Sequence, residues 1–568
     1  MVNQHGNLLQ RNPVDGFKSD KQQRHKIVDY SLNNTACKTG INGLLIVSFH
    51  VQCLPLCFCL PLYHFKMDLQ LSFALVLHCR RAILPGYRGS EDMGRYDIQK
   101  ESLPACQHTG KRKEFFMCST AEKTSSFYRD MFRLAFPIVI QNLITAAVSS
   151  ADVIMLGWVN QTALSAGSLA SQIMFILNLV YAGISSGIGM LAAQYWGKKD
   201  TRTIEEIMGI GMRLSIPVSV FFFVMACFFP QVLMMIFTSE QELIEAGMPY
   251  LRIVGVSYLF MSISQVYLCT MRSIERVVFA TFTNASALIL NIILNGVFIF
   301  GLFGFPQMGI IGVAMATAIA RGVEFVICMA DACRFPVIRF RPGLLARHNK
   351  VLFQDFMKYS LPAFGNEVSW GLAFSMYSVI MGHLGSDMVA ANAVVIVARN
   401  LGTVVCFGLA NAGAILLGKA IGEGRMESVK ADASRFCRIT FASGIVGGIL
   451  IFLLRPVFMD LADLTDAARG YLSGMLYINM YYVLGQAMNT TVICGIFRSG
   501  GDSRWGFVCD VIDMWLFSVP LGFFSAFVLR LPPLTVYFLI CLDEFVKMPF
   551  IYRHYKSYKW LKNITRDF

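Results

Sequence analysis

The sequence predicts an all-α polytopic membrane protein with twelve transmembrane helices in two pseudo-symmetric six-helix bundles. Three observations predict it. Hydrophobic residues make up 55% of the 568 positions and charged residues 15%, with a mean hydropathy of +0.54, whereas soluble domains carry charge on roughly a quarter of positions. Twelve apolar stretches approach the roughly 20 residues that cross a bilayer. The second six repeat the first about 225 residues later, carrying Pro137 to Pro362, Gly157 to Gly382, Ala166 to Ala391, Gly183 to Gly408, Leu191 to Leu416 and Gly197 to Gly422. The offset then drifts, Tyr250-Leu251 meeting Tyr471-Leu472 and Arg272-Ser273 meeting Arg498-Ser499. Such a register marks an internal duplication.

Residues 1–116 lack this regularity. Their single apolar run, Ile41 to Phe65, is interrupted by His50, Gln52, Pro55 and Pro61, and its flanks do not fit a cleavable signal peptide. They are expected to form an irregular N-terminal extension outside the core, with Met117 a sufficient start; a signal anchor or thirteenth span is the alternative. The first bundle is expected over 127–335, with spans at 132–157, 166–195, 208–229, 250–271, 278–303 and 308–330. A linker follows at 336–353, bearing Pro336 and Pro342. The second bundle and a basic tail occupy 354–568, with spans at 354–382, 389–418, 436–458, 471–497, 505–529 and 532–552.

The net charge of +13 is distributed over alternate loops. One face receives Lys198, Lys199 and Arg202, then Arg272 and Arg276, the 331–353 connection, Lys419 with Arg425, Arg498 with Arg504, and the tail. The positive-inside rule makes that face, and both ends of the core, cytoplasmic, in the plasma membrane. No clustered basic patch of the kind nucleic acid requires is found. The core cysteines form no CxxC pair and read as packing residues rather than a disulfide or metal framework. No Gly-x-x-x-x-Gly-Lys-Ser/Thr loop occurs, which argues against ATP-driven pumping.

Six is even, so both bundles share one orientation and are related by an axis along the membrane normal. Substrate in such proteins lies between the repeats near mid-membrane. Gly183, Gly187 and Gly189 on the second span and Gly402, Gly408 and Gly413 on the eighth allow close helix approach.

Phe136-Pro137, then Asp152-x-x-Met155-x-Gly157 and Ala163-Leu164-x-Ala166, together with Gln194-Tyr195-Trp196-Gly197-Lys198-Lys199-Asp200 and Arg498-Ser499-Gly500-Gly501-Asp502-Ser503, resemble motifs of the multidrug and toxic compound extrusion (MATE) transporters. The resemblance covers about 127–568. It implies a non-enzymatic secondary antiporter that acts as a monomer among membrane lipids. It also implies small amphipathic organic cations or drugs as substrate, exchanged for H+ or Na+, with no cofactor beyond that ion. Two alternatives are a lipid-linked precursor flippase of the same superfamily, whose cleft would carry several cations, and a membrane-embedded enzyme using Asp510 and Asp513 with Mg2+. A lone aspartate pair is poor support for the latter.

Charges at membrane depth cost about 2.5–3.5 kcal/mol on insertion scales and are functional suspects. Asp152 lies five residues before Gly157, roughly 7–8 Å inside the helix end at 1.5 Å per residue, where desolvation favours reversible protonation. Asn291 and Asn295 share a face of the fifth span and are expected to orient Asp152 or to bridge helices, the family's occasional acid at the position of Asn295 being absent. Gln141, Trp370 and Arg399 are, with the two asparagines, further cavity positions. In the second bundle, Glu367 and Trp370 are three residues apart, Trp370 standing where many relatives carry their glutamate. Ala487 stands where relatives place an aspartate. Asp510 and Asp513 are expected either to replace it in an ion site with Glu367, Na+ included, or to balance Arg399 in a static pair. Glu324 with Arg321, and Asp543 and Glu544 with Lys547, have spacings that suit local pairing.

Asp152→Asn keeps the side chain's size and removes its titratable group. It should abolish gradient-driven transport in liposomes with membrane insertion intact, and undiminished transport would remove Asp152 from the ion path.

Overall fold

The computed structural model describes residues 111–157, 161–335, 349–460 and 464–567, with 337, 338 and 343 between them; side chains are described from Phe127 onward, except at 149–154, 157 and 161. Residues 1–110 of the N-terminal extension lie outside the described residues, as does most of the 336–353 linker.

A chain in lipid must satisfy its backbone internally, which leaves helices as the economical answer. The first half comprises α1 (Lys111–Gly157), α2 (Gln161–Gly197), α3 (Thr201–Phe228), the short α4 (Pro230–Met235), α5 (Gln241–Ser273), α6 (Val277–Phe300) and α7 (Gly309–Arg334). The second comprises α8 (Lys350–His383), α9 (Ser386–Gly422), α10 (Met426–Asp460), α11 (Asp466–Thr490, prolonged by a wide π turn over Thr491–Phe497) and α12 (Ser503–Val528, itself widened over Ile512–Ser518). It ends in three short helices, α13 (Pro533–Ile540), α14 (Asp543–Val546) and α15 (Met548–Lys556). Side chains cap helix starts where free N–H groups need acceptors: Asp200 accepts from Thr203 N, Asn349 from Leu352 N and Thr465 from Ala468 N, each at 3.1 Å.

Among the described residues, nine helices are long and apolar enough to cross a membrane. The remaining three expected spans are helical but more polar or broken: α8, α11 with its π turn, and the twelfth, which is not the continuous 532–552 helix expected. It breaks around Asp543, Glu544 and Lys547, where charged groups are drawn out of register toward partners. The first helix is also longer than expected. Pro137 lies well inside it. Large apolar side chains such as Phe221, Phe282, Leu453 and Leu516 point outward, as lipid permits.

Within the first half α5 packs against α2, α3 and α7, and α6 against α1 and α7; within the second, α9, α10 and α11 pack mutually. Between the halves, α2 lies on α8 and α9, and α1 on α9. Glycine makes this seam possible. A Cβ on Gly197 would overlap the carbonyl oxygen of Lys419, and one on Gly422 would overlap that of Gln194. Shifting both partners of the first contact by the 225-residue repeat gives the second. The same holds for Gly183 against Phe364 and Gly408 against Val139. The duplication seen in sequence is thus realised as reciprocal backbone contacts about a pseudo-two-fold axis.

The tail reinforces the seam at the basic-loop end. Gln194 Nε2 donates to the carbonyls of Ser499 (2.7 Å) and Lys562 (3.1 Å), and Ile564 N donates to Gln194 Oε1 (2.9 Å). Arg566 N donates to Tyr195 Oη at 2.9 Å, while the Arg566 guanidinium pairs with Asp355 at 2.6 Å. Lys419 pairs with Glu275 at 2.7 Å and Lys198 with Asp567.

Gly422→Leu should open this end, since overpacking costs about 1–3 kcal/mol. The expected result is transport reduced about tenfold or more in a well-inserted protein, with Ser186→Cys in the same background gaining reactivity toward an impermeant maleimide. Unchanged labelling and transport would show that the seam tolerates the added bulk.

Candidate functional site

A cavity of about 600 Å³ lies between the halves, walled by α2, α8, α9, α11 and α13. Its inner wall is aromatic because α8 and α9 present rings at helical spacing. Trp370 meets Phe374 edge-on at 4.8 Å and Phe407 at 6.3 Å, and Phe374 meets Tyr377 at 5.6 Å. Edge-to-face pairs of this kind stabilise by about 0.5–1.5 kcal/mol each. Arg399 sits in the same wall, its guanidinium 5.0 Å from the Phe374 ring and 5.5 Å from the Tyr482 ring. Among the described residues, no carboxylate lines this cavity.

A smaller cavity of about 50 Å³ adjoins it, sharing Trp370 and Phe407 and lined also by Glu367, Asn489, Asp510, Glu544 and Lys547. Here the charges concentrate. Lys547 Nζ lies 3.1 Å from Glu544, 3.3 Å from Asp510 and 3.6 Å from Asp513, with all four side chains buried. Glu544 also accepts from Asn489 Nδ2 at 2.8 Å, and Asp543 accepts from Tyr377 Oη at 3.3 Å. Both oxygens of Asp513 are buried without a hydrogen-bond partner. Two π turns, Thr491–Phe497 and Ile512–Ser518, flank the cluster; such turns recur at functional sites because they widen the helix and redirect side chains.

Glu367 belongs to a second pair. Arg498 Nη2 donates to Glu367 Oε1 at 2.9 Å and Nη1 donates to Ser186 Oγ on α2 at 3.1 Å. One guanidinium therefore ties a carboxylate of the second half to the seam.

The expected site residues thus divide. Asp510 and Asp513 converge, but on Lys547; the expected pairing with Arg399 does not occur, because α9 directs that guanidinium between two rings. Glu367 and Asp510 line the same small cavity, but Arg498 pairs with Glu367 while Lys547 faces Asp510 and Asp513. Among the described residues no group of three His, Cys, Asp or Glu is disposed to hold a metal. Gln141, Asn291 and Asn295 do not line the cavity. Thr281 Oγ1 donates to Gln141 Oε1 at 3.4 Å and Asn291 Nδ2 to Thr317 Oγ1 at 3.2 Å, joining α6 to α1 and α7, while Asn295 Nδ2 donates to Asn291 Oδ1 at 3.3 Å within α6. The side chain of Asp152 lies outside the described residues. Arg321 pairs with Glu324 at 2.6 Å as their spacing suggests. Lys547 and Arg498 are the residues the sequence reading undervalued: the i,i+3 spacing of Glu544 and Lys547 was visible, but not that α12 delivers two more acids to the same ammonium.

Lys547→Met should destabilise the protein by about 3–5 kcal/mol, because it strands buried carboxylates. Thermal unfolding in detergent is expected to show the loss, with partial recovery when Asp510→Asn and Glu544→Gln are added; a lone Lys547→Met variant as stable as the parent would contradict the cluster.

Comparison with known proteins agrees with this architecture. The sequence model of the MatE family matches residues 137–297 and again 363–524, one match per half. The chain is 25% identical to a probable multidrug resistance protein NorM from Rhizobium meliloti (strain 1021), over 74% of this chain and 90% of that protein. It is 22% identical to the uncharacterized transporter YisQ from Bacillus subtilis (strain 168), over 78% and 96%. The outward-facing structure of a multidrug resistance MATE family transporter superposes with a TM-score of 0.70 at 18% identity, covering 75% of this chain and 95% of that one. With the motifs, the repeated family match and the shared helical plan in agreement, the chain belongs to the MATE family of membrane transporters.

Proposed function

We propose that the protein is a secondary antiporter of the plasma membrane that exports amphipathic organic compounds in exchange for H+, through alternating access of two bundles spanning 127–335 and 354–568. The multidrug resistance described for its relatives supports the substrate breadth, and the aromatic inter-bundle cavity supports its location. The basic loops and both core ends face the cytoplasm.

One observation carries the choice of H+. A single ammonium, Lys547, faces Asp510, Asp513 and Glu544 in a buried site. One cation neutralises one carboxylate, so the surplus negative charge requires a proton or a metal ion. The ammonium already occupies the space between the carboxylates that a metal ion would need, and Asp513, whose oxygens have only the 3.6 Å contact with Lys547 and no hydrogen bond, is the group that gains most from a proton. Protonation would release Asp513 from Lys547 and let α12 and α14 shift. That shift reaches the substrate cavity through Trp370, which lines both spaces, and the seam through the neighbouring Glu367, Arg498 and Ser186.

Purified protein in liposomes, tested with imposed pH and Na+ gradients separately, should export a fluorescent amphipathic dye only when the pH gradient is present. Asp513→Asn should fold and bind but lose the pH dependence of transport. Export driven by Na+ alone, or an Asp513→Asn variant with unaltered pH dependence, would overturn proton coupling at this site.

A further inference from the structure

We propose that the inter-bundle cavity binds a flat organic anion, an aromatic body bearing a carboxylate or sulfonate, through Arg399. The proposal takes the cavity to be the transport site of the antiport reading, but its binding claim is separable from the coupling ion.

Among the described residues, Arg399 is the sole charged one lining the cavity. Among the described residues its guanidinium has no salt-bridge partner. Asp543, whose field reaches it, is beyond ion-pair distance and is engaged by Tyr377. The acid nearest the cavity on α8, Glu367, is held by Arg498. A cation entering this space therefore meets a like charge and, among the described residues, no free carboxylate, whereas an anion relieves a buried charge that is costly while unpaired.

The geometry also suits a planar anion. The rings of Phe374 and Tyr482 flank the guanidinium, fixing its plane by cation–π contact and leaving its N–H donors free of protein acceptors for a bidentate carboxylate or sulfonate. Tyr482 Oη and Gln486 Oε1 are buried without partners in the same wall. The tyrosine hydroxyl supplies a further donor to the anion, and the amide oxygen an acceptor for a hydroxyl on the ligand. Trp370 and Phe407 complete a wall against which an aromatic body lies.

Two probes of similar shape and opposite charge test this: radiolabelled 2-naphthoate and N-methylquinolinium, measured by equilibrium dialysis against full-length protein in a neutral detergent. Naphthoate should bind about tenfold or more tightly than the cation, and Arg399→Gln should weaken naphthoate about tenfold, about 1.4 kcal/mol, without weakening the cation. Arg399→Lys should retain part of the affinity, because it keeps the charge and loses the fork. Tyr482→Phe, which leaves the guanidinium clamped, should weaken naphthoate severalfold and serves where Arg399→Gln fails to fold. Equal or tighter cation binding, or undiminished naphthoate binding in both Arg399→Gln and Tyr482→Phe, would overturn the proposal. Naphthoate bound in phosphatidylcholine nanodiscs but displaced in phosphatidylglycerol nanodiscs would also overturn it, showing that Arg399 holds a lipid headgroup instead. Arg399-dependent naphthoate binding without pH-driven transport would refute the antiport reading alone; pH-driven export of the cation without naphthoate binding would refute the anion site alone.

Discussion

The buried ammonium of Lys547 is the constraint around which the second half of the molecule is arranged. An ammonium this deep must find acids, and they are drawn from two helices: Asp510 and Asp513 from α12 and Glu544 from α14. Satisfying them interrupts the twelfth span into three short helices and coincides with π turns in α11 and α12. Apolar burial alone would favour a continuous helix there, so the irregularity is a cost borne for charge. The first half carries no comparable cluster among its described residues; its buried pair, Arg321 with Glu324, is a simple one-to-one match.

The inter-bundle cavity and the charge cluster are adjacent but distinct. Trp370 and Phe407 face both, so a change in one space alters the walls of the other. Arg498 adds a mechanical route, reaching from Glu367 to Ser186 on α2, close to the seam where Gly183, Gly187 and Gly197 bring the halves into contact. That seam combines reciprocal glycine contacts and tail hydrogen bonds with apolar packing of α2 on α8 and of α1 on α9, and it can part as a unit. A two-state rearrangement needs such an element, one whose contacts are either all made or all broken.

Much of this was legible in the sequence, for physical reasons. The 225-residue register survives because the paired positions are places where only glycine permits backbone approach, as Gly197 and Gly422 do. Helix positions followed from apolar runs, with ends extended by polar turns that hydropathy does not register. The intramembrane acids were visible individually as Glu367, Asp510 and Asp513. Their partners were not, since which cation an acid meets depends on contacts between distant helices. Arg399 shows the limit most clearly: sequence offered Asp510 and Asp513 as its counter-ions, and the fold gives it Phe374 and Tyr482.

Infrared difference spectroscopy of the purified protein between acid and alkaline pH tests most directly whether the surplus carboxylate at Lys547 carries a proton. Coupling through Asp513 predicts a protonated-carboxyl C=O band that disappears as pH rises, shifts in D2O and is missing from Asp513→Asn. A band unchanged by that substitution, or the absence of any buried carboxyl signal across the pH range, would contradict it.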